Sequence, residues 1–507
     1  MKSTRFPAIL ILAIAAIILL PASRTPAQSS DGQLEQGFKN PPDSAKPRAY
    51  YFWLNGNITK EGITADLEWM HRVGIAGVQL FDGDVGIPQF VDQRLAWMTP
   101  EWKDAMRHTA EETHRLNMEI AMAASGGWSE TGGPSVKPQA AMKKIVWSET
   151  RVQGPMKFSG VLPHPPTNNG RFQDMGMPVE LLNPAPKGLP GAKPEPPAPP
   201  PQPSPTFYAD TKVIAYRLPE GEIRMADAQP RITASQPGVN FPVLTDGRFS
   251  TELTLHLNPG ESQVWVQFEF PQPYRAQALM LGGGNVNFFT GGTIEDGELQ
   301  SSDDGANWSA IASLSASYFI KRDFPIHTYS FPSTTARYFR VMLRPAPPEA
   351  GLVARAKERG TPPPAVGTVR LAELELSGPR VTHWQGKAAY GNTSDFSTLA
   401  TPPVDKGEAV PRQDVIDLTS KMRPDGQLEW DAPAGRWVIL RLGYSLVGKK
   451  VHPASAEAIG YEVDKLSAQY VGDYVKDYAD MFSSAVSPNF GKSFRYFHMD
   501  RDRKSVV

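Results

Sequence analysis

Carboxylates stand at or just beyond the ends of apolar runs in this 507-residue sequence. Asp82 follows Val78-Gln79-Leu80-Phe81, Asp500 closes the run from Phe494, and Glu130 lies in Ser125-Gly126-Gly127-Trp128-Ser129-Glu130-Thr131-Gly132-Gly133-Pro134, just after Met118–Ala123. Glu462 and Asp464 precede an amphipathic stretch. Acids of this kind, brought together from different loops, can exchange protons with a bound molecule. Asn55 follows another apolar run, and Trp53 and Trp128 offer flat aromatic faces against which a bound ring could stack. Each residue also has a plainer reading. Glu462 can pair with Lys465 on the surface, Asp464 can cap a helix, Asp82 can be a turn residue and Glu130 a solvated loop residue. Trp53, embedded in an apolar strand, is equally a core residue. His498, in the strand that ends at Asp500, reads as a packed core histidine.

The elements that must position these residues form a repeating pattern. Ala49-Tyr50-Tyr51-Phe52-Trp53-Leu54 is continuous and apolar, as a strand buried on both faces is. Thr59 then caps a helix with Ile63, Leu67, Met70 and Val73 on one stripe, ended at Gly74. A strand over Ile75–Phe81 follows. Thr99-Pro100-Glu101 starts a helix that buries Trp102, Met106, Ala110 and Leu116, with Pro at the first helical position and an acid in the first turn. Met118–Ala123 is the third strand. Three strand–helix units in a row predict the opening of a (β/α)8-type barrel, whose chemistry sits at the C-terminal strand ends, and so an enzyme.

After Val146-Trp147-Ser148 the helical period disappears. Pro184 to Pro205 is proline-dense and extended. From Lys212 to about Arg380 the period is two: Val264, Val266, Phe268 and Phe270 alternate with polar partners. A further β segment spans Val415–Val447. A helix with Leu466, Tyr470, Tyr474, Tyr478 and Phe482 on one stripe then leads to the strand Phe494–Asp500. The predicted class is α/β plus β: a barrel, incomplete here, interrupted by inserted β-sandwich domains. The predicted divisions are 1–27, 47–150, 151–239, 240–380, 381–455, 456–500 and a tail at 501–507. Loops tolerate such insertions because closure costs grow slowly with length.

The chain carries 52 basic and 53 acidic residues and no cysteine. Lys2 and Arg5, the apolar run Ala8–Leu20 and Thr25-Pro26-Ala27 read as a secretory signal over 1–27, and predict a periplasmic or secreted protein with no membrane attachment after cleavage. Its removal leaves 49 basic against 53 acidic residues. Nothing in this balance points to nucleic acid, and absent cysteine means neither disulfides nor thiolate chemistry.

Two resemblances sharpen the reading. The alternating strand at Val264–Phe270, "SSDDGANW", "ARYFRV" and "LAELEL" resemble, over Asn240–Gly378, the discoidin-type, galactose-binding-like sandwich. More specifically, "AYYFWLNGNITKEGITADLEWMHRVGIAGVQLF", "GWSETGGP", "GRWVILRLG", "GYEVDKLS" and "YFHMD" resemble glycoside hydrolase family 106 from about Pro47 to Asp500. That resemblance implies an inverting α-L-rhamnosidase acting on plant-type carbohydrates with a calcium ion at the substrate site. Inversion needs an acid and a base carboxyl roughly 6.5–9.5 Å apart. Under this reading Glu462 and Asp500 are the catalytic candidates, Asp464 serves calcium, and Asn55, Asp82, Trp128 and Glu130 contact substrate. The family's "HMD" strand normally runs on into a Ser-aromatic-Glu segment, whereas Arg501–Val507 shows no such pattern, so a truncated form is expected, with a second catalytic carboxylate beyond residue 507. The alternative is a non-catalytic carbohydrate-binding protein that uses the sandwich.

Overall fold

A computed structural model describes residues 30–176, 190–193, 204–283, 294–314, 326–347, 350–359, 366–390 and 399–499. The segment 1–27 expected to be a signal, most of the proline-dense stretch, Asp500 and the tail 501–507 lie outside the described residues. Among the described residues no helix is long and apolar enough to cross a membrane.

The strand–helix units form a parallel sheet of β1 (Arg48–Leu54), β2 (Gly77–Gly83), β3 (Glu119–Ala123) and β15 (Phe494–His498), in that spatial order. The local start signals act as read. The Thr59 hydroxyl accepts the Gly62 N–H at the head of α1 (Lys60–Arg72), and the Thr99 hydroxyl accepts the Trp102 N–H at the head of α2 (Pro100–Arg115). The third helix, α3 (Ala468–Val486), is capped by Ser467 and buries Tyr474, Tyr478 and Phe482. Leu466 precedes this helix and is 83% exposed, so it is not part of the stripe. One face of the sheet (Trp53, Leu80, Ile120, Met122) packs against Ile63, Leu67, Trp102, Met106 and Phe482 from the three helices. Burying these side chains contributes roughly 1.5–3 kcal/mol each before entropy is counted. The opposite face carries Tyr50 and Phe52, both largely exposed.

The incomplete (β/α)8-type barrel that was expected is not confirmed among the described residues, where the parallel strands form an open sheet. A four-stranded sheet is too short to curl back onto its own edge, and it stays open with β1 and β15 outermost.

The boundary expected at residue 150 needs correction. Strand β4 (Lys143–Val161) runs straight through it and pairs along its length with β14 (Gln427–Leu446), in a second sheet ordered β13-β5-β14-β4, with β5 at Tyr208–Arg217 and β13 at Ile416–Asp417. The segments expected as separate domains at 151–239 and 381–455 therefore supply one sheet. Its core is Val152, Val213, Trp430, Trp437 and Ile439.

Between β5 and β13 sits the third sheet, seven antiparallel strands: β6 (Arg231–Ala234), β7 (Leu253–His256), β8 (Val264–Gly283), β9 (Ile294–Ser302), β10 (Ser309–Ser313), β11 (Ile326–Pro345) and β12 (Thr368–Ser377). Bulges interrupt the β8–β11 ladder, and Val266, Phe268 and Phe270 from one half of β8 share a core with Leu279 and Leu281 from the other. The sheet thus folds over a single hydrophobic centre, the sandwich that the alternation predicts.

Candidate active site

Three loops follow β1, β2 and β3, and the segment 447–467 lies against them. Isolated bridges join Gly133 and Lys450 to Tyr461, and Ala141 to Val463. The Gly127 N–H donates to the Asp82 carbonyl at 2.6 Å, and the Trp128 N–H to the His452 carbonyl at 3.3 Å. From below, the hydroxyls of α3 hold the end of β3. Tyr478 donates to the Ala123 carbonyl at 2.9 Å, and Tyr474 lies 2.6 Å from the Ala124 carbonyl and 2.9 Å from that of Gly132.

The contact between the two segments is close enough to demand glycine. Gly127 has φ +71°, and a Cβ there would lie 2.5 Å from the Pro453 carbonyl oxygen. Gly127→Ala should therefore displace the loop and cost about 1–3 kcal/mol, the αL penalty together with the backbone clash. Faster amide exchange over residues 126–133 is the measurement that checks it.

Two of the sequence candidates meet here. Glu462 and Glu130 are both buried, at 6% and 8% exposure. The Lys465 ammonium lies 2.6 Å from Glu462 Oε2 and 3.3 Å from Glu130 Oε2, so one cation bridges both acids. The pairing of Glu462 with Lys465 is thus present, but in a buried triad and not on the surface. Glu130 is likewise no solvated loop residue. Trp128, in the same loop, is half-buried and sets its ring edge-on to Phe52 (5.6 Å) and Phe81 (6.3 Å). With Tyr50 and His498, whose rings lie 5.2 Å and 5.6 Å from Phe81, these side chains make an aromatic floor on the sheet face away from the helices. His498 is only half-buried there and not a core residue.

Other candidates go elsewhere. Asp82 is 1% exposed and faces the helices, not the mouth, and its Oδ2 accepts the Trp102 indole N–H at 2.7 Å. The expected substrate contact is corrected: β2 continues to Gly83, Asp82 lies opposite Trp53, and alternation places it with Val78 and Leu80 on the buried face. Burial pushes its carboxyl up to about 7, against the stabilising indole hydrogen bond. Asn55 is at φ +52°, with both ends engaged: Nδ2 donates to the Ile87 carbonyl at 2.6 Å, and Oδ1 accepts from Arg94 at 3.1 Å. Arg94 also pairs with Glu457. Neither Arg94 nor Glu457 stands out in the sequence, since they meet only when the 84–95 loop and the 447–467 segment converge. Trp53 is fully buried against Trp102 (5.6 Å), the core reading of that residue.

Asp464 does not fit a calcium site. One oxygen accepts the Leu466 N–H at 3.2 Å and the other lies 3.3 Å from the Lys143 ammonium. Between Glu130 and Glu462 the place a shared cation would take is held by Lys465. Calcium takes six to eight oxygen ligands, and among the described residues no three or more His, Asp or Glu side chains are grouped to hold a metal. Asp500 lies outside the described residues.

Residues 39–502 match the model of glycoside hydrolase family 106, alpha-L-rhamnosidase. The chain is similar to a rhamnosidase from Novosphingobium sp. PP1Y, with TM-score 0.71 and 35% identity over 90% of this chain and 38% of that one. It is also 37% identical, over 155 residues, to a putative beta-glucuronidase from Formosa agariphila, covering 31% of this chain and 13% of that protein. The chain thus spans well under half the length of either relative. Its own length is matched almost throughout by the family model, and the chain belongs to glycoside hydrolase family 106.

Proposed function

We propose that this chain carries part of the active site of an exported α-L-rhamnosidase, which removes terminal α-L-rhamnose from plant-type glycans, and that Glu462 is one of its catalytic carboxylates. The observation that carries the reading is the buried Glu462–Lys465–Glu130 triad, sited where the Trp128 loop and the 447–467 segment interlock. Family membership supplies the substrate class. Lys2 and Arg5 ahead of the apolar run Ala8–Leu20 support export.

The triad restricts the mechanism. Its two Oε2 atoms can be no farther apart than the sum of their distances to one nitrogen, 2.6 and 3.3 Å. That is below the roughly 6.5–9.5 Å that leaves room for water in an inverting pair. If the reaction inverts, the partner of Glu462 is a carboxylate other than Glu130. Glu130 and Lys465 then hold Glu462 in one rotamer, while Trp128 offers a ring face to the sugar. No step is assigned to calcium, because the described donors do not form a site for it.

The test gives the whole enzyme to which this chain belongs 4-nitrophenyl α-L-rhamnoside beside 4-nitrophenyl β-D-glucuronide. Turnover of the rhamnoside alone is expected. Turnover of the glucuronide alone would replace the substrate class, and turnover of neither by folded protein would overturn the proposed activity of this chain.

A further inference from the structure

A large cavity among the described residues is lined by residues other than those around Glu462. It opens between the outer face of the seven-stranded sheet and the β4–β5 face of the second sheet, with a volume of about 1650 Å³. Typical small-molecule pockets hold roughly 300–1,000 Å³, so this one has room for several linked rings. None of Trp128, Glu130, Glu462 or Lys465 lines it.

Its floor is built by strand alternation. On β12, Leu374 and Leu376 enter the sandwich core, which turns Glu373 and Glu375 outward into the cavity. Glu373 is held by the backbone N–H groups of Gly247 and Arg248. Glu375, by contrast, makes no hydrogen bond or close ion pair among the described residues, although burial raises its carboxyl above the ordinary range and only longer-range attraction to Arg380 and Arg151 opposes this. Arg380 itself is fixed by Glu222 at 2.9 Å. The wall carries the half-buried ring of Trp147, braced by Phe172 (5.7 Å) and Trp384 (5.8 Å).

We propose that this cleft is a second carbohydrate site, which holds an uncharged oligosaccharide against Trp147, with Glu375 and Arg380 bonded to its hydroxyls. The chemistry follows from the lining. A braced indole takes the C–H face of a pyranose. A half-buried carboxylate without a close partner and a fixed guanidinium offer strong acceptor and donor positions for neighbouring hydroxyls. Seven carboxylates against four guanidinium groups around the cavity disfavour a polyuronate and favour a neutral glycan. The site is separate from the proposed hydrolysis and does not rest on it.

Titration calorimetry on the whole chain tests this with arabinogalactan, cellohexaose and xylohexaose as neutral probes and polygalacturonate as the charged one. The Glu462→Gln variant serves as background, so that hydrolysis cannot interfere. At least one neutral probe should bind. Trp147→Ala and Glu375→Gln should each weaken that binding by about tenfold or more, a loss in keeping with central anchor residues. Glu375→Gln keeps shape and removes only charge, so it reads the site even if Trp147→Ala disturbs packing. Absence of binding by all neutral probes, affinity unchanged in both variants, or preference for polygalacturonate would each overturn the proposal.

Discussion

Asp82→Asn should raise the stability of the α/β unit at pH 8 and flatten its dependence on pH between about 4 and 7. The Asp82 carboxyl titrates near 7 in the folded chain and near its ordinary 3.8 when unfolded. Across that interval the unfolded state has released its proton while the folded state still holds it. Stability therefore falls as pH rises from about 4 to 7 and is level beyond, with a total loss on the order of 4 kcal/mol. Asparagine keeps the shape and an oxygen for the Trp102 indole, and carries no charge to bury. Urea unfolding of both proteins at pH 4, 6 and 8 should give curves that converge at the acid end and separate by up to about that amount at pH 8. Comparing the pair cancels the other shifted groups, among them Lys144, which burial holds near 7, and Glu373, raised to about 8. Equal slopes in the two proteins would show that Asp82 is ionised in the native state at neutral pH and that its environment is wetter than described.

Lys465→Met should be among the most damaging single changes near the site. It leaves Glu130 and Glu462, whose side chains are 9% and 8% exposed, facing each other without the ammonium that bridges them. Removing one partner from a buried ionic group costs roughly 3–5 kcal/mol, much of it the penalty for the stranded charge. The loss should be local to the 126–133 and 461–470 segments and visible as faster amide exchange there. Adding Glu130→Gln to Lys465→Met should recover part of it, because the repulsion is then gone. A double variant no more stable than the single one would mean that the two acids do not share the cation.

The readings that proved accurate rest on short range. Thr59 and Thr99 cap helices through hydroxyls three residues from their partners, and the Tyr474–Tyr478–Phe482 stripe needs only the helical period. The failures are long-range. Asp82 is stabilised in an apolar face by an indole 20 residues on, so the alternation of Val78, Leu80 and Asp82 was the available clue and the polar residue disguised it as a turn. The 19-residue strand β4 finds its partner in β14, more than 250 residues later, and no local pattern marks residue 150 as the middle of a strand. Glu462 and Lys465 are three apart on the chain and their contact was foreseeable. The third member, Glu130, arrives on another loop and was not. The helical period gives Tyr474 and Tyr478 only as a stripe, although a tyrosine buried in place of phenylalanine is itself a sign that its oxygen has a partner.

The most direct measurement is rhamnose release from 4-nitrophenyl α-L-rhamnoside by the whole enzyme to which this chain belongs and by its Glu462→Gln variant. If Glu462 is a catalytic carboxylate, kcat should fall about 10²–10⁴-fold, the range for loss of a positioned acid or base, while thermal unfolding stays close to that of the parent. Turnover within a few-fold of the parent by a folded Glu462→Gln protein would contradict the account and leave the Glu130–Lys465–Glu462 triad as a structural brace.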